Sequence, residues 1–418
     1  MTRVPPVFEL PATVTLDDAL RIFRTRGLDL LIADAAIADA QGQLQQASGI
    51  ANPNVAVSGG PFFNYSARPP CSGCTSQVTS WSFGDNGAVA DFLAGKRGLR
   101  IEIARATLMM AKLARADAQR NLEAMLKQQY VQVVLARQTL GFNKELQAAL
   151  VRTLEINKLR YPQVIDEGAL ARIEVQKLEA DQAVASSVEA VEQARMGLAY
   201  LLGVRTRVPE FDVDKSALDF KVPAALASAT DESLVRRALE HRPDVRAAAY
   251  ARGGADASVR LAQRNVFPIV STNMTFTALG YGQQVPTAPV LTVGVSVDAP
   301  LFYQQQGEIR RAQAALARAA LTHAKTAAQV ASDVHTAFAG VVGSRKLVER
   351  MESVLLARAK KARDIVTVQF QAGQITLTDL LDAQRTYIAT NVEYLTDLAA
   401  YWSAIFQLEQ AVGEELRT

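Results

Sequence analysis

Residues 265–302 read NVFPIVSTNMTFTALGYGQQVPTAPVLTVGVSVDAPLF, and Asn265 to Val297 contains no Asp, Glu, Lys or Arg. Within it, STNMTFTALGY and LTVGVSV alternate small polar with apolar residues at period two, and GYGQQVPTAP lies between them as turn material. That spacing predicts strand, loop, strand. A second stretch, Ala40 to Ala67, is equally free of charge. It offers NPNVAVSGGPFFNY, and after RPPCSGCTSQ comes TSWSFGDNGAVADF. Alternation with no charge on either face is the faint signature of membrane β-barrel strands, with a soluble hairpin packed on helices as the alternative. Phe62, Phe63, Tyr65, Trp81, Phe83, Phe276, Tyr281 and Phe302 are available for interfacial girdles. Strands are expected near 53–65, 78–92, 267–280 and 290–302.

The flanking segments belong to long helices. From about Gly98 to Tyr161 and from Gly307 to Gln371 there is no Pro. Leu108, Ala111, Leu122, Met125, Leu126, Tyr130, Val133 and Val134 recur at threes and fours. At 1.5 Å per residue such helices would be rods of roughly 90 Å. Ala-rich runs such as RAQAALARAALTHAKTAAQ allow close, coiled-coil-like packing. Thr15 with Asp18 reads as a capping pair opening the first helix, and Pro243 with Asp244 as a helix start.

Three landmarks occur twice in the same order. Pro53 is echoed by Pro268, Gly98 by Gly307 and Gly168 by Gly373, at offsets of roughly 205 to 215 residues. The chain therefore reads as two structural repeats. The first is 1–204, with its helical hairpin at about 98–203. The second is 231–418, with its hairpin at about 307–413. Between them, 205–230 reads as a Pro- and Asp-containing linker.

Composition excludes several classes. The 418 residues carry a net charge of +3 with acids and bases interleaved, so no basic face exists to bind nucleic acid. Cys71 and Cys74 are the only cysteines, with His241, His323 and His335 the only histidines. That is a poor supply for zinc. No constellation of nucleophile, base and orienting group is present, and no phosphate loop, so neither catalysis nor a cofactor is expected. No apolar run is long enough for a transmembrane helix, and a membrane role therefore falls to the strands. The N-terminal MTRVPPVFELPATV lacks the apolar core of a secretory signal, so an exported chain would be numbered after signal removal.

Four strands cannot close a barrel, and open edges are forbidden in lipid, so oligomerisation is required. HRPDV at 241–245, LFYQQQGEIRRA at 301–312 and FQAGQITLTDLLDAQRTYIATNVEYL at 370–395 resemble the TolC family of outer-membrane channels. QQGEIRRA, LDAQRTY and the closing AVG are most similar to its cobalt-zinc-cadmium efflux branch. The resemblance implies an α+β membrane protein: duplicated helical hairpins forming a periplasmic coiled-coil tunnel, and four strands per protomer in a trimeric 12-strand barrel. It implies a homotrimer in outer-membrane lipid that serves as exit duct for a periplasmic adaptor and an inner-membrane RND-type pump, conducting divalent heavy-metal cations. Multidrug or type I secretion channels, or a soluble coiled-coil adaptor, are the alternatives. An enzyme of unfamiliar helical fold is a further rival, unsupported by any constellation.

By the same resemblance Asp379 and Asp382 match the acidic pair that rings the periplasmic aperture. Three residues apart, they share a helix face, and threefold symmetry would gather six carboxylates. Ile375 stands where a basic partner is usual, so Arg172 or Lys177 of the other hairpin is expected to balance them. Cys71 and Cys74, in the external loop, are candidates for a local disulfide.

Overall fold

In the computed structural model the described residues are 10–61, 77–161, 163, 166–205, 207–227, 229–279, 289–298 and 300–416. They fall into two compact units, each drawing on both halves of the sequence. No helix among the described residues is long and apolar enough to cross a membrane.

The first unit takes Met1–Ala35, Leu113–Arg246 and Thr326–Thr418. Its N-terminal helix α1 (Leu16–Arg26) starts as the sequence predicts, with the Thr15 side chain accepting from the Asp18 amide. Gly27 ends it, and α2 (Leu28–Ser48) follows. The long helices are α4 (Lys96–Arg160), α5 (Glu167–Leu201), α9 (Gln306–Arg350), α10 (Leu356–Gln371) and α11 (Leu377–Val412). A π-helical turn at Met351–Leu355 joins α9 to α10.

The core of this unit forms where α4 presents Leu126, Tyr130, Val133 and Val134, all essentially buried. That spacing is one helix face. It meets Val330 and Val334 of α9, and Tyr401, Ile405 and Phe406 of α11. Met125, expected on this stripe, is instead exposed in the protomer. It sits one step round the helix from Leu126. A smaller cluster of Leu150, Ile173, Ala180 and Leu381 ties α4, α5 and α11 together farther along the hairpins.

The segment read as a linker is packed. Strand β4 (Asp212–Val213) pairs in parallel with β1 (Thr13–Val14), and Phe211, Val213 and Leu218 are buried. Its Pro and Asp residues suit turns and caps, which a sequence reading takes for an exposed tether. Short helix α6 (Ala224–Ala227) precedes α7 (Asp231–His241), and α8 (Pro243–Arg264) begins on Pro243 as expected. The Tyr130 hydroxyl fastens this region: it donates to the Val14 carbonyl (2.8 Å) and accepts from the Asp214 amide (2.9 Å). Burial pushes its pKa up to about 12, so it stays a neutral donor. Tyr130→Phe is expected to cost about 1–3 kcal/mol, read in thermal unfolding, because the carbonyl of buried Val14 and the Asp214 amide both lose their partner.

The second unit takes Ala36–Lys112 and Ala247–Lys325. It holds an antiparallel sheet of β2 (Asn54–Pro61), β3 (Gln77–Gly84), β5 (Ile269–Leu279) and β6 (Val290–Asp298), in the order β2-β3-β5-β6. The strands lie on the expected ranges, β3 starting one residue early at Gln77, with corrections at 85–92 and 300–302. Asp85 accepts from the Gly87 and Val89 amides, and Asn86 and Gly87 take positive φ. Such a turn stops the strand and starts helix α3 (Ala88–Leu93). Beyond Asp298, residues 300–302 are likewise not strand.

Candidate functional site: a two-faced sheet and an acidic helical tip

Strand register fixes which residues share a face of the sheet. Val55, Phe83 and Met274 lie in line across three strands, as do Val57, Trp81, Phe276 and Leu291 across four. With Val293, Val295 and Val297 they make one face of large apolar side chains, all strongly exposed in the protomer. The opposite face carries Ala56, Ser58, Ser80, Ser82, Ser271, Asn273, Thr275, Thr292 and Ser296. Ser58 and Ser80 share a hydrogen bond of 2.7 Å there. Asn273 lies directly over Gly294, whose Cβ position its amide occupies.

One apolar face and one hydroxyl-bearing face is the division that a membrane barrel uses between lipid and a water-filled lumen. The eleven residues of β5 suffice for a tilted crossing of an apolar layer about 30 Å thick. Both β2 and β6 keep one edge unpaired among the described residues. Of the expected girdle residues, Trp81, Phe83 and Phe276 lie on the apolar face, and Phe302 is fully exposed past the end of β6. Phe62, Phe63, Tyr65 and Tyr281 lie outside the described residues, as do Cys71 and Cys74.

In the first unit, α11 starts with a capping box. The Thr376 hydroxyl accepts from the Asp379 amide (3.3 Å), and the Asp379 carboxylate accepts from the Thr376 amide (3.0 Å) and hydroxyl (2.6 Å). The Thr376 hydrogen bonds hold the Asp379 carboxyl below its ordinary range. The T-x-x-D spacing read at Thr15 recurs at Thr376, and its structural meaning was legible there too. Asp382 is exposed and has no hydrogen bond or ion pair among the described residues.

The expected basic partners divide. Lys177 is ion-paired along its own helix to Asp181 at 2.5 Å, which lowers the Asp181 pKa. Arg172 is exposed, with no ion pair among the described residues. Neither contacts Asp379 or Asp382 within the protomer, yet both helices are held close. Ile173 beside Arg172 and Leu381 beside Asp382 pack in the same small cluster. Among the described residues no group of His, Cys, Asp and Glu could hold a metal ion.

One functional-looking motif proves to be a staple. In HRPDV the Arg242 guanidinium is buried, forks onto Asp244 at 2.7 and 3.1 Å, reaches Asp333 at 3.1 Å and donates to the Ala411 carbonyl. It thereby satisfies an orphan carbonyl in the last turn of α11, just before Gly413 closes the helix at φ 85°. Burial alone would raise the Asp244 carboxyl, but the Arg242 hydrogen bonds and charge hold it below the usual carboxylate range. Its stabilising contribution is therefore complete above the unfolded value of about 3.9 and lost as pH falls through the lower folded value. Arg242→Lys keeps the charge but loses the fork. We expect about 1–3 kcal/mol less stability in thermal unfolding, and a smaller further loss on acidification below about pH 4 than in the parent.

Residues 234–414 match the outer membrane efflux protein family. Over 99% of this chain and 93% of the relative, the sequence is 22% identical to the cobalt-zinc-cadmium resistance protein CzcC of Cupriavidus metallidurans. The fold is shared with solved channels. The OprN outer-membrane channel matches with TM-score 0.78 at 19% identity, covering 96% of this chain and 91% of that one. CusC matches with TM-score 0.76 at 18% identity, covering 96% and 92%. The Vibrio cholerae outer membrane protein VceC matches with TM-score 0.75 at 18% identity, covering 96% of both chains. The chain thus resembles the outer membrane efflux protein family over 234–414, resembles CzcC along nearly its whole length, and shares its fold with these solved outer-membrane proteins.

Proposed function

We propose that three copies of this chain form the outer-membrane exit duct of a tripartite efflux system. The two-faced sheet with both edges open carries this reading. A four-stranded sheet in lipid would leave edge amides and carbonyls unsatisfied, at several kcal/mol each. Pairing β6 of one copy with β2 of the next removes every edge, and three copies give twelve strands around a hydroxyl-lined lumen. The helical hairpins then lie on the periplasmic side, where an adaptor and an RND-type pump deliver the cargo.

Likeness over the whole chain to a cobalt-zinc-cadmium resistance protein supports divalent heavy-metal cations as that cargo. Deletion of the gene should lower tolerance to cobalt, zinc or cadmium salts while leaving drug tolerance unchanged. Loss of drug tolerance alone would favour a multidrug duct. In detergent the purified chain should run as a trimer and insert pores into planar bilayers. A monodisperse monomer without detergent would overturn the duct. The duplication reading, with repeats at 1–204 and 231–418 around 205–230, is supported by the order helix, two strands, long helical hairpin in each half.

The aperture reading rests on Asp379 and Asp382. With Asp379 committed to its capping box, Asp382 carries the freer charge, and Arg172 of a neighbouring copy is the candidate counterion, since Lys177 already serves Asp181. The double variant Asp379→Asn with Asp382→Asn keeps a capping acceptor and removes up to six charges per trimer. It should lower cation-over-anion permeability at least about twofold in bilayer reversal potentials. Unchanged selectivity would make both acids ordinary helix-surface residues.

A further inference from the structure

Beside the base of the sheet, the chain between α3 and α4 and the last turn of α8 border a groove of about 680 Å³. Its walls include Gly95, Gly98, Leu99, Arg260, Arg264 and Phe267. Gly95 and Gly98 open it, since a Cβ at either would meet nothing within 4 Å. Arg260 is matched by Glu102 (2.5 Å) and Asp256 (3.1 Å). Arg264 has no carboxylate partner among the described residues, and its guanidinium lies over the Phe267 ring, 5.8 Å from the centroid. Beneath it Lys96, only 7% exposed, donates to the Phe267 carbonyl at 3.3 Å. The groove is therefore net positive, with one guanidinium free to take an anion.

Apolar side chains adjoin it: Phe267 of its wall, and Phe92 and Leu93 just before its wall residue Ala94 in the chain, are exposed by 55%, 70% and 78%. The groove also sits at a defined depth, because α8 ends at Arg264 and β5 starts at Ile269. If the strands cross the apolar layer, as the duct reading on which this inference rests requires, Arg264 stands at headgroup level on the helical side. Arg, Lys and aromatic residues are the side chains that anchor at this level. A cation facing into a groove with apolar side chains beside it at that depth suits an amphiphile carrying a phosphate.

We propose that the groove binds the phosphate headgroup of one anionic phospholipid per protomer from the periplasmic leaflet, with its acyl chains along Phe92, Leu93 and Phe267. Arg264 supplies the charge-assisted hydrogen bonds. Gly98 supplies the space.

Native mass spectrometry of the detergent-solubilised trimer, titrated with phosphatidylglycerol, tests this. We expect up to three bound lipids per trimer, retained about tenfold better than phosphatidylcholine, since the lone guanidinium favours a net anion. Arg264→Gln should weaken retention about tenfold, and Arg264→Lys should restore most of it. Gly98→Leu, which fills the groove without touching a charge and suits a helix, should also weaken it. Equal retention of the two lipids, retention unchanged in both Arg264→Gln and Gly98→Leu, or displacement by millimolar inorganic phosphate alone would each overturn the lipid site. A trimer that conducts in bilayers yet holds no phosphatidylglycerol overturns the site and leaves the duct standing. A chain that forms no trimer overturns both.

Discussion

Lys127→Met is expected to destabilise the protein by about 3–5 kcal/mol, the usual cost of stranding one member of a buried ion pair. Lys127 on α4 and Glu409 on α11 meet at 2.6 Å, and each is only 5% exposed. The Lys127 ammonium also lies over the Phe406 ring, and Glu409 accepts from the Leu416 amide at 3.1 Å. Removing the cation leaves a desolvated carboxylate in a core of Tyr401, Ile405 and Phe406. The double variant Lys127→Met with Glu409→Leu should recover most of the loss, because apolar replacement of both partners removes the desolvation penalty as well as the attraction. The residual defect should be the unpaired Leu416 amide. Thermal unfolding of the detergent-solubilised protein, run on both single variants and the double, provides the cycle. A double variant as unstable as Lys127→Met alone would mean that the pair is not the source of the effect.

The second large effect separates neighbours. Val293 and Thr292 are adjacent on β6, and the pleat sends them to opposite faces. Val293→Arg puts a charge on the apolar face, where it should cost about 2–4 kcal/mol near mid-membrane. Thr292→Arg lies on the hydroxyl-bearing face, the lumenal one in the proposed barrel, and should leave folding near parental while narrowing the duct and shifting its selectivity toward anions. Folding into vesicles measured against urea, with single-channel conductance in bilayers, reads both outcomes. Equal tolerance of the two substitutions would mean that the face assignment, and the barrel with it, is wrong.

Much of this architecture is legible locally. Alternation in STNMTF and LTVGVSV, without a charge from Asn265 to Val297, defines two strands because one face must be apolar and the other small and polar. The Pro-free runs after Gly98 and Gly307 define long helices for an equally local reason. The acidic start of α11 was less legible. Asp379 reads as a free acid by resemblance, yet its carboxylate closes a capping box with Thr376. Lys177 reads as a spare cation, yet Asp181 lies one helical turn away on the same face. Both local partners are present in the sequence, and only the side-chain geometry shows that they are engaged within the protomer.

The sequence by itself determined where strands and helices run, and that Asn265 to Val297 alternates apolar with small polar residues without a charge. These follow from spacing within a few residues. Tertiary structure decided what spacing cannot carry. It joined β3 of the first half to β5 of the second, packed 205–230 through Phe211 and Val213, and seated Arg242 on the carbonyl of Ala411. Each of these unites residues far apart in the chain, and each depends on desolvated partners whose worth exists only once the chain has folded. The unpaired edges of β2 and β6 belong to the same class: no residue in either strand announces them, and they arise only from the order in which the four strands pair.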